Sequence, residues 1–156
     1  MFSRIESNES GPRLYVGTSG WSYKSWGESF YPAGVSPSRQ LQFYATQFPT
    51  VEVNGTFYRL PTQKTFAAWN QNAPQVFLYS IKGSRAVTHF KRLRPGAKSF
   101  KILLTRSRSL RSHLGPILWQ LPGTLKKGRG ASPQLFATFK PPGSPCDRIS
   151  GSVLAR

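Results

Sequence analysis

An α/β fold with parallel strands is predicted by three features of the sequence. Short apolar runs alternate with amphipathic stretches between Leu14 and Pro122. The stretches between runs are long enough for crossovers, which parallel neighbours require and hairpins do not. Polar or small residues gather at the C-terminal end of each run, at Thr18-Ser19, Glu52-Asn54, Lys82-Ser84 and Gln120. That is the end where parallel α/β folds build their sites.

Taken in order, residues 1–12 are polar, contain Gly11-Pro12, and read as a flexible N-terminal tail. Leu14-Tyr15-Val16 reads as the first strand, leaving Gly17-Thr18-Ser19-Gly20 as its exit loop. Ser36-Pro37 marks a helix start, with Ser as N-cap and Pro at the first helical position. Leu41, Tyr44, Ala45 and Phe48 then recur at helical spacing, and Pro49 stops the run. The second strand spans Thr50 to Asn54, with Val51 and Val53 on one face and Glu52 and Asn54 on the other. A second helix is predicted over Thr65 to Asn72, and the third strand over Val76 to Lys82. A basic helical stretch from Lys98 to Arg111 leads to the fourth strand, which ends near Gln120.

Composition sets further bounds. The 156 residues carry a formal charge of +17, and 38% of them are hydrophobic. The charge is uneven, with a net +2 over residues 1–81 and +15 over residues 82–156. Such asymmetry ordinarily points to nucleic acid or an anionic membrane. The lone Cys146 allows no intrachain disulfide and fits a reducing, cytoplasmic location. No apolar run approaches the roughly 20 residues that span a bilayer, so no membrane partner is expected.

"VGTSGWSYKSW", "TVEVNGTFYRLP", "IKGSRAVTHFKRLR" and "LGPILWQLP" together resemble the YecE-like family, the domain of unknown function numbered 72, in order and spacing. The resemblance covers about residues 13–94 and 114–122. It implies a TIM-barrel-like (β/α) fold, commonly of bacterial or archaeal origin, and no settled activity. A full barrel of that kind takes about 250 residues, so the sequence corresponds to its N-terminal half, about four βα units. A partial barrel domain is therefore expected over 13–127, followed by an irregular basic tail over 128–156. Residues 95–113 contain no acid, and 128–156 are rich in Gly, Ser, Pro and Arg without period. The reading for these two stretches is a truncated or frameshifted family member, in which the excess positive charge records a lost frame rather than a partner. Half a barrel leaves two unpaired sheet edges, so self-association through those edges is also expected.

Candidate site residues follow from strand alternation. Glu52 and Asn54 should face the barrel interior, as should Ser80 and Lys82 on the third strand and Leu118 and Gln120 on the fourth. Glu52 and Lys82 are candidates for acid–base chemistry, with Lys82 also a candidate imine former, against a structural ion pair as the alternative. His89, in the basic segment containing Arg85, Lys91, Arg92 and Arg94, is a candidate proton donor beside an anion, or an ordinary solvated residue. Thr18, Ser19, Trp21, Asn54, Arg85 and Gln120 complete the set as ligand-binding candidates for a small anionic or phosphorylated ligand. Nucleic acid at the same mouth is the rival reading, since aromatics crowd two of its loops, and a non-functional truncation product is a third. Packing under those loops explains the aromatics equally simply. Two histidines and few acids give no convincing metal set, and no Ser-His-Asp set, Walker loop or dinucleotide fingerprint occurs. The sequence specifies no cofactor.

Overall fold

The computed structural model describes residues 14–27, 29–94 and 96–125. The tails read from the sequence at 1–12 and 128–156 lie outside these residues. Four parallel strands alternate with helices: β1 (Gly17–Ser19), β2 (Thr50–Val53), β3 (Leu78–Lys82) and β4 (Leu114–Leu118), in the spatial order β1-β2-β3-β4. Between them run α1 (Gln40–Gln47), α2 (Gly55–Tyr58), α3 (Gln63–Asn72) and α4 (Lys98–Ser107). A π-helical turn (Ala86–Phe90) follows β3, and a 3₁₀ segment (Arg108–His113) joins α4 to β4. This is the α/β order of a partial, TIM-barrel-like sheet, with each strand beside its sequence neighbour.

β1 lies three residues later than the apolar run that announces it. Leu14 and Val16 are exposed, while Gly17, Thr18 and Ser19 pair with Thr50, Val51 and Glu52. The reason is steric. A Cβ on Gly17 would sit 2.0 Å from the Thr50 carbonyl oxygen, so only glycine allows this approach of β1 to β2. The other elements follow their signals more closely. Thr62 caps α3 by accepting the Thr65 N–H, whereas Ser36 makes no side-chain cap and its segment starts as a 3₁₀ turn over Pro37–Arg39. α2 and the π-helical turn carry no apolar period of their own, being only four and five residues long. The acid-free Lys98–Arg111 stretch does form a helix and burial is confined to one side of it, at Leu103, Ser107 and Leu110. β4 pairs with β3 through a register shift, Tyr79 opposite Leu114 but Ile81 opposite Ile117. Pro116, which has no N–H to give a ladder, falls within that irregularity.

The core lies on the helix-bearing side of the sheet. Val51, Val53, Tyr79 and Ile81 point from the strands into it and meet Tyr44, Phe66, Leu103 and Leu110, all nearly or fully buried. Polar ends of buried side chains find partners there. The Tyr44 hydroxyl accepts from the Thr18 N–H at 2.8 Å and donates to the Thr50 carbonyl at 3.0 Å, tying α1 to both β1 and β2. The Tyr79 hydroxyl donates to the Trp69 carbonyl at 2.9 Å, and His113 Nδ1–H donates to Phe77 at 2.8 Å.

Two buried phenols, Tyr31 and Tyr79, give the fold an alkaline limit. Burial, and secondarily the Tyr44 phenol, push Tyr31 up to about 12, and burial raises Tyr79 further. An acid whose folded pKa is raised keeps its proton in the native state after the unfolded chain has lost it, so folding stability is whole below the unfolded value of about 10. Stability is then expected to fall as pH climbs from about 10 through about 12. Chemical denaturation across that range checks the decline. A tyrosinate absorbance titration should show a late component from Tyr31 and Tyr79; its absence would contradict the assignment.

Candidate functional site

The opposite face of the sheet is polar, and strand register builds it. Gly17, Thr50 and Leu78 are register partners in one row, and Ser19, Glu52 and Ser80 in the next. Lys82 stands beside Leu118 one step nearer the C-terminal ends. An open concavity of about 430 Å³ lies against this face, bordered by Gly17, Ser19, Thr50, Glu52, Ser80 and Pro116. Small residues at Gly17, Ser19 and Ser80 leave this space, whereas the valines and aromatics of the same strands fill the other side.

Four of the sequence-predicted residues come together at the C-terminal end of this face, with Ser19 and Glu52 bordering the concavity and Asn54 and Lys82 just beyond it. Lys82 Nζ lies 3.7 Å from Glu52 Oε1, with both side chains largely shielded from solvent. The Ser19 hydroxyl donates to the same carboxylate oxygen at 3.3 Å, and the Asn54 amide Nδ2 donates to Ser19 Oγ. The chain of contacts therefore runs Asn54, Ser19, Glu52, Lys82. Asn54 Oδ1, at the end of the chain, is buried without a hydrogen-bond partner. Turning the amide over would exchange an unpaired acceptor for an unpaired donor, so one end of Asn54 stays unsatisfied either way. Glu52 is the only carboxylate among the described residues.

Thr56 and Phe57, from the short α2, hold this cluster. Thr56 Oγ1 is fully buried, 2.7 Å from the Val53 carbonyl and 2.6 Å from the Lys82 carbonyl, so it joins the exits of β2 and β3. The Phe57 ring lies 5.5 Å from Lys82 Nζ and 5.1 Å, edge-on, from the His89 ring. His89 thereby shares Phe57 with Lys82, and its Nδ1 pairs with the Thr88 hydroxyl at 2.8 Å. Just beyond Lys82, Gly83 lets the chain pass Trp119, whose ring would lie 2.3 Å from an added Cβ.

Of the remaining candidates, Thr18 borders the concavity and the others sit elsewhere. The Thr18 hydroxyl faces the helices, donating to the Gly20 carbonyl at 2.7 Å and lying 2.9 Å from the Tyr44 hydroxyl. Trp21 is half-buried against Trp69, with its carbonyl accepting from Tyr31. Arg85 is exposed on the rim, between the rings of Tyr58 and Phe90. Gln120 is exposed past the end of β4. Sequence reasoning singled out neither Thr56 nor the bridging part played by Phe57. The available signal was their place directly after Asn54, at the same strand ends as the charged pair. Among the described residues, no three His, Cys, Asp or Glu side chains gather as a metal site would need, and no helix is long and apolar enough to cross a membrane.

Comparison with known proteins places this geometry in a family. Residues 15–141 match the family described as "Protein of unknown function DUF72", a match that crosses the acid-free stretch at 95–113 and extends past residue 127. The chain is 28% identical over 79 residues to the UPF0759 protein YunF of Bacillus subtilis (strain 168), covering 51% of this chain and 27% of that protein. Among solved structures it is similar to a DUF72 family protein (TM1631) of Thermotoga maritima MSB8, with a TM-score of 0.62 and 30% identity over 74% of this chain and 46% of that one. The chain thus spans less than half the length of either protein.

Proposed function

From the premise that this chain belongs to the DUF72 family, whose description assigns no activity, we propose that the Ser19–Glu52–Asn54–Lys82 cluster binds a small anionic ligand bearing hydroxyl groups, such as a phosphorylated polyol. The buried Asn54 Oδ1, which has no hydrogen-bond partner, carries this reading. A buried polar end left unpaired costs about 1–3 kcal/mol, and a ligand hydroxyl at the open face would remove that cost. Lys82 supplies the cation for the anionic group, and Glu52 accepts from a second hydroxyl. The cluster lies at the C-terminal ends of parallel strands, where this class of fold places its ligands. Glu52 and Lys82 are also the groups that could move a proton on such a ligand, whereas His89 stands behind the Phe57 ring, paired with Thr88.

Thermal unfolding in the presence of glycerol 3-phosphate, inorganic phosphate or glycerol tests the proposal. The midpoint should rise with glycerol 3-phosphate concentration, as mass action on a native-state site requires, and rise less with either part alone. Asn54→Leu should erase the advantage of glycerol 3-phosphate over phosphate. Equal responses to the three compounds, or an Asn54→Leu protein that behaves as the parent does, would count against it.

A further inference from the structure

On the rim above this cluster, two aromatic rings and a set of unneutralised cations share one surface. Tyr58, at the end of α2, and Phe90, at the end of the π-helical turn, are 67% and 70% exposed. The Arg85 guanidinium lies over both rings, 5.3 Å from the Tyr58 centroid and 5.4 Å from that of Phe90. Phe90 continues into a basic depression of about 530 Å³ that it lines with Lys91, Arg92 and Arg94. Arg92 and Leu93 hold positive φ (46° and 61°), and Leu93 is buried, its N–H donating to the Val87 carbonyl. The turn is therefore anchored by Leu93 while Lys91, Arg92 and Arg94 stay in solvent. None of these four cations pairs with a carboxylate among the described residues, where Glu52 is the only one and is held by Lys82.

Exposed aromatic rings are costly to present to water unless something covers them, and unpaired guanidinium groups call for anions. A single nucleic-acid strand supplies both partners at once, with bases to stack on rings and a phosphate repeat for the cations. A folded acidic protein would satisfy the charges but has no regular supply of flat faces. A free phosphorylated metabolite would occupy the cations and leave one of the two rings bare. We infer that the Tyr58–Arg85–Phe90 rim, with Lys91, Arg92 and Arg94, binds single-stranded nucleic acid. The bases stack on the outward faces of Tyr58 and Phe90, and Arg85 stiffens the two rings from between. The inference does not rest on the ligand proposed for the Glu52–Lys82 cluster.

Fluorescence anisotropy with a labelled oligothymidylate and the full chain tests it. Tyr58→Ala and Phe90→Ala should each weaken binding by about 5- to 150-fold, the range a lost stacked base accounts for. Both side chains are exposed, so the variants should keep the parent's melting midpoint. Lys91→Gln combined with Arg94→Gln should lower the magnitude of the slope of log affinity against log salt by about 1.4, at about 0.7 per phosphate contact on a single strand. A duplex of the same length should compete less well than the single strand. No binding at low salt would overturn the inference. So would binding that the aromatic substitutions leave unchanged, since the strand would then be held by charge elsewhere in the chain. Loss of self-association, rather than of oligonucleotide binding, in Tyr58→Ala and Phe90→Ala would make the rim a protein interface and overturn it equally.

Discussion

Phe66→Ala should destabilise the protein by about 3–5 kcal/mol, the usual cost of removing a fully buried aromatic side chain. Phe66 has no exposed surface and packs edge-on against Trp69 at 5.2 Å, within the layer that joins α3 to the sheet. Among the described residues the helices cover one face of this sheet, so Phe66 belongs to a single apolar layer. Since whole domains are stable by only about 5–15 kcal/mol, the loss should show as a markedly lower denaturation midpoint and easier proteolysis. Val76→Ala, at a side chain 71% exposed, should change stability by less than about 0.5 kcal/mol. Similar costs at the two positions would mean that the core is not where the structure puts it.

Lys82→Met should have the second large effect, on stability and on ligand response together. It leaves Glu52 without its cation among groups that are mostly shielded from solvent. The pair is neither fully exposed nor fully buried, so the cost falls between the few tenths of a kcal/mol of a surface pair and the several kcal/mol of a buried one, about 1–2 kcal/mol. Glu52→Gln in the same background should recover part of that cost, because the orphaned carboxylate goes with it. A double-mutant cycle over these positions should give a coupling of about 1 kcal/mol, and the Lys82→Met protein should no longer respond to glycerol 3-phosphate. A coupling near zero would mean that the two groups do not interact in solution.

The sequence disclosed the face of the sheet more readily than its ends. Alternation in "TVEVN" and "LYSIK" separates Val51, Val53, Tyr79 and Ile81 from Glu52, Asn54, Ser80 and Lys82, and the structure divides them the same way. The charged pair was therefore legible, because parallel register puts two inward residues of neighbouring strands side by side. β1 was displaced because backbone approach, set by the absence of a Cβ at Gly17, outweighed the apolar character of Leu14 and Val16. That displacement decides the fate of two candidates. With β1 at Gly17–Ser19, Thr18 alternates toward Tyr44 and Ser19 toward Glu52, so two adjacent hydroxyls serve opposite faces. α2 and the π-helical turn went unseen because a helix of four or five residues has no period to detect. The part they play, in bringing Phe57 to Lys82 and Tyr58 to Arg85, is a matter of three-dimensional placement. The basic stretch Lys98–Arg111 was legible as helical despite its lack of acids, and α4 forms within it. The absence of acids does not prevent a helix whose Leu103 and Leu110 find a core.

The open polar face and the edges at β1 and β4 also bear on how the chain associates. Among the described residues no strand lies beyond β1 or β4 in the order β1-β2-β3-β4, and natural proteins seldom leave sheet edges bare. We propose that isolated preparations of these 156 residues self-associate through them.

The claim that the Ser19–Glu52–Asn54–Lys82 cluster is a ligand site is tested most directly by NMR, titrating glycerol 3-phosphate into isotopically labelled protein. Saturable shifts are expected at the Asn54 side-chain amide, the Lys82 ammonium and the backbone of Ser19 and Glu52, with Gln120 unmoved. Shifts confined to the Arg85–Arg94 rim, or an Asn54 amide that never moves, would contradict it.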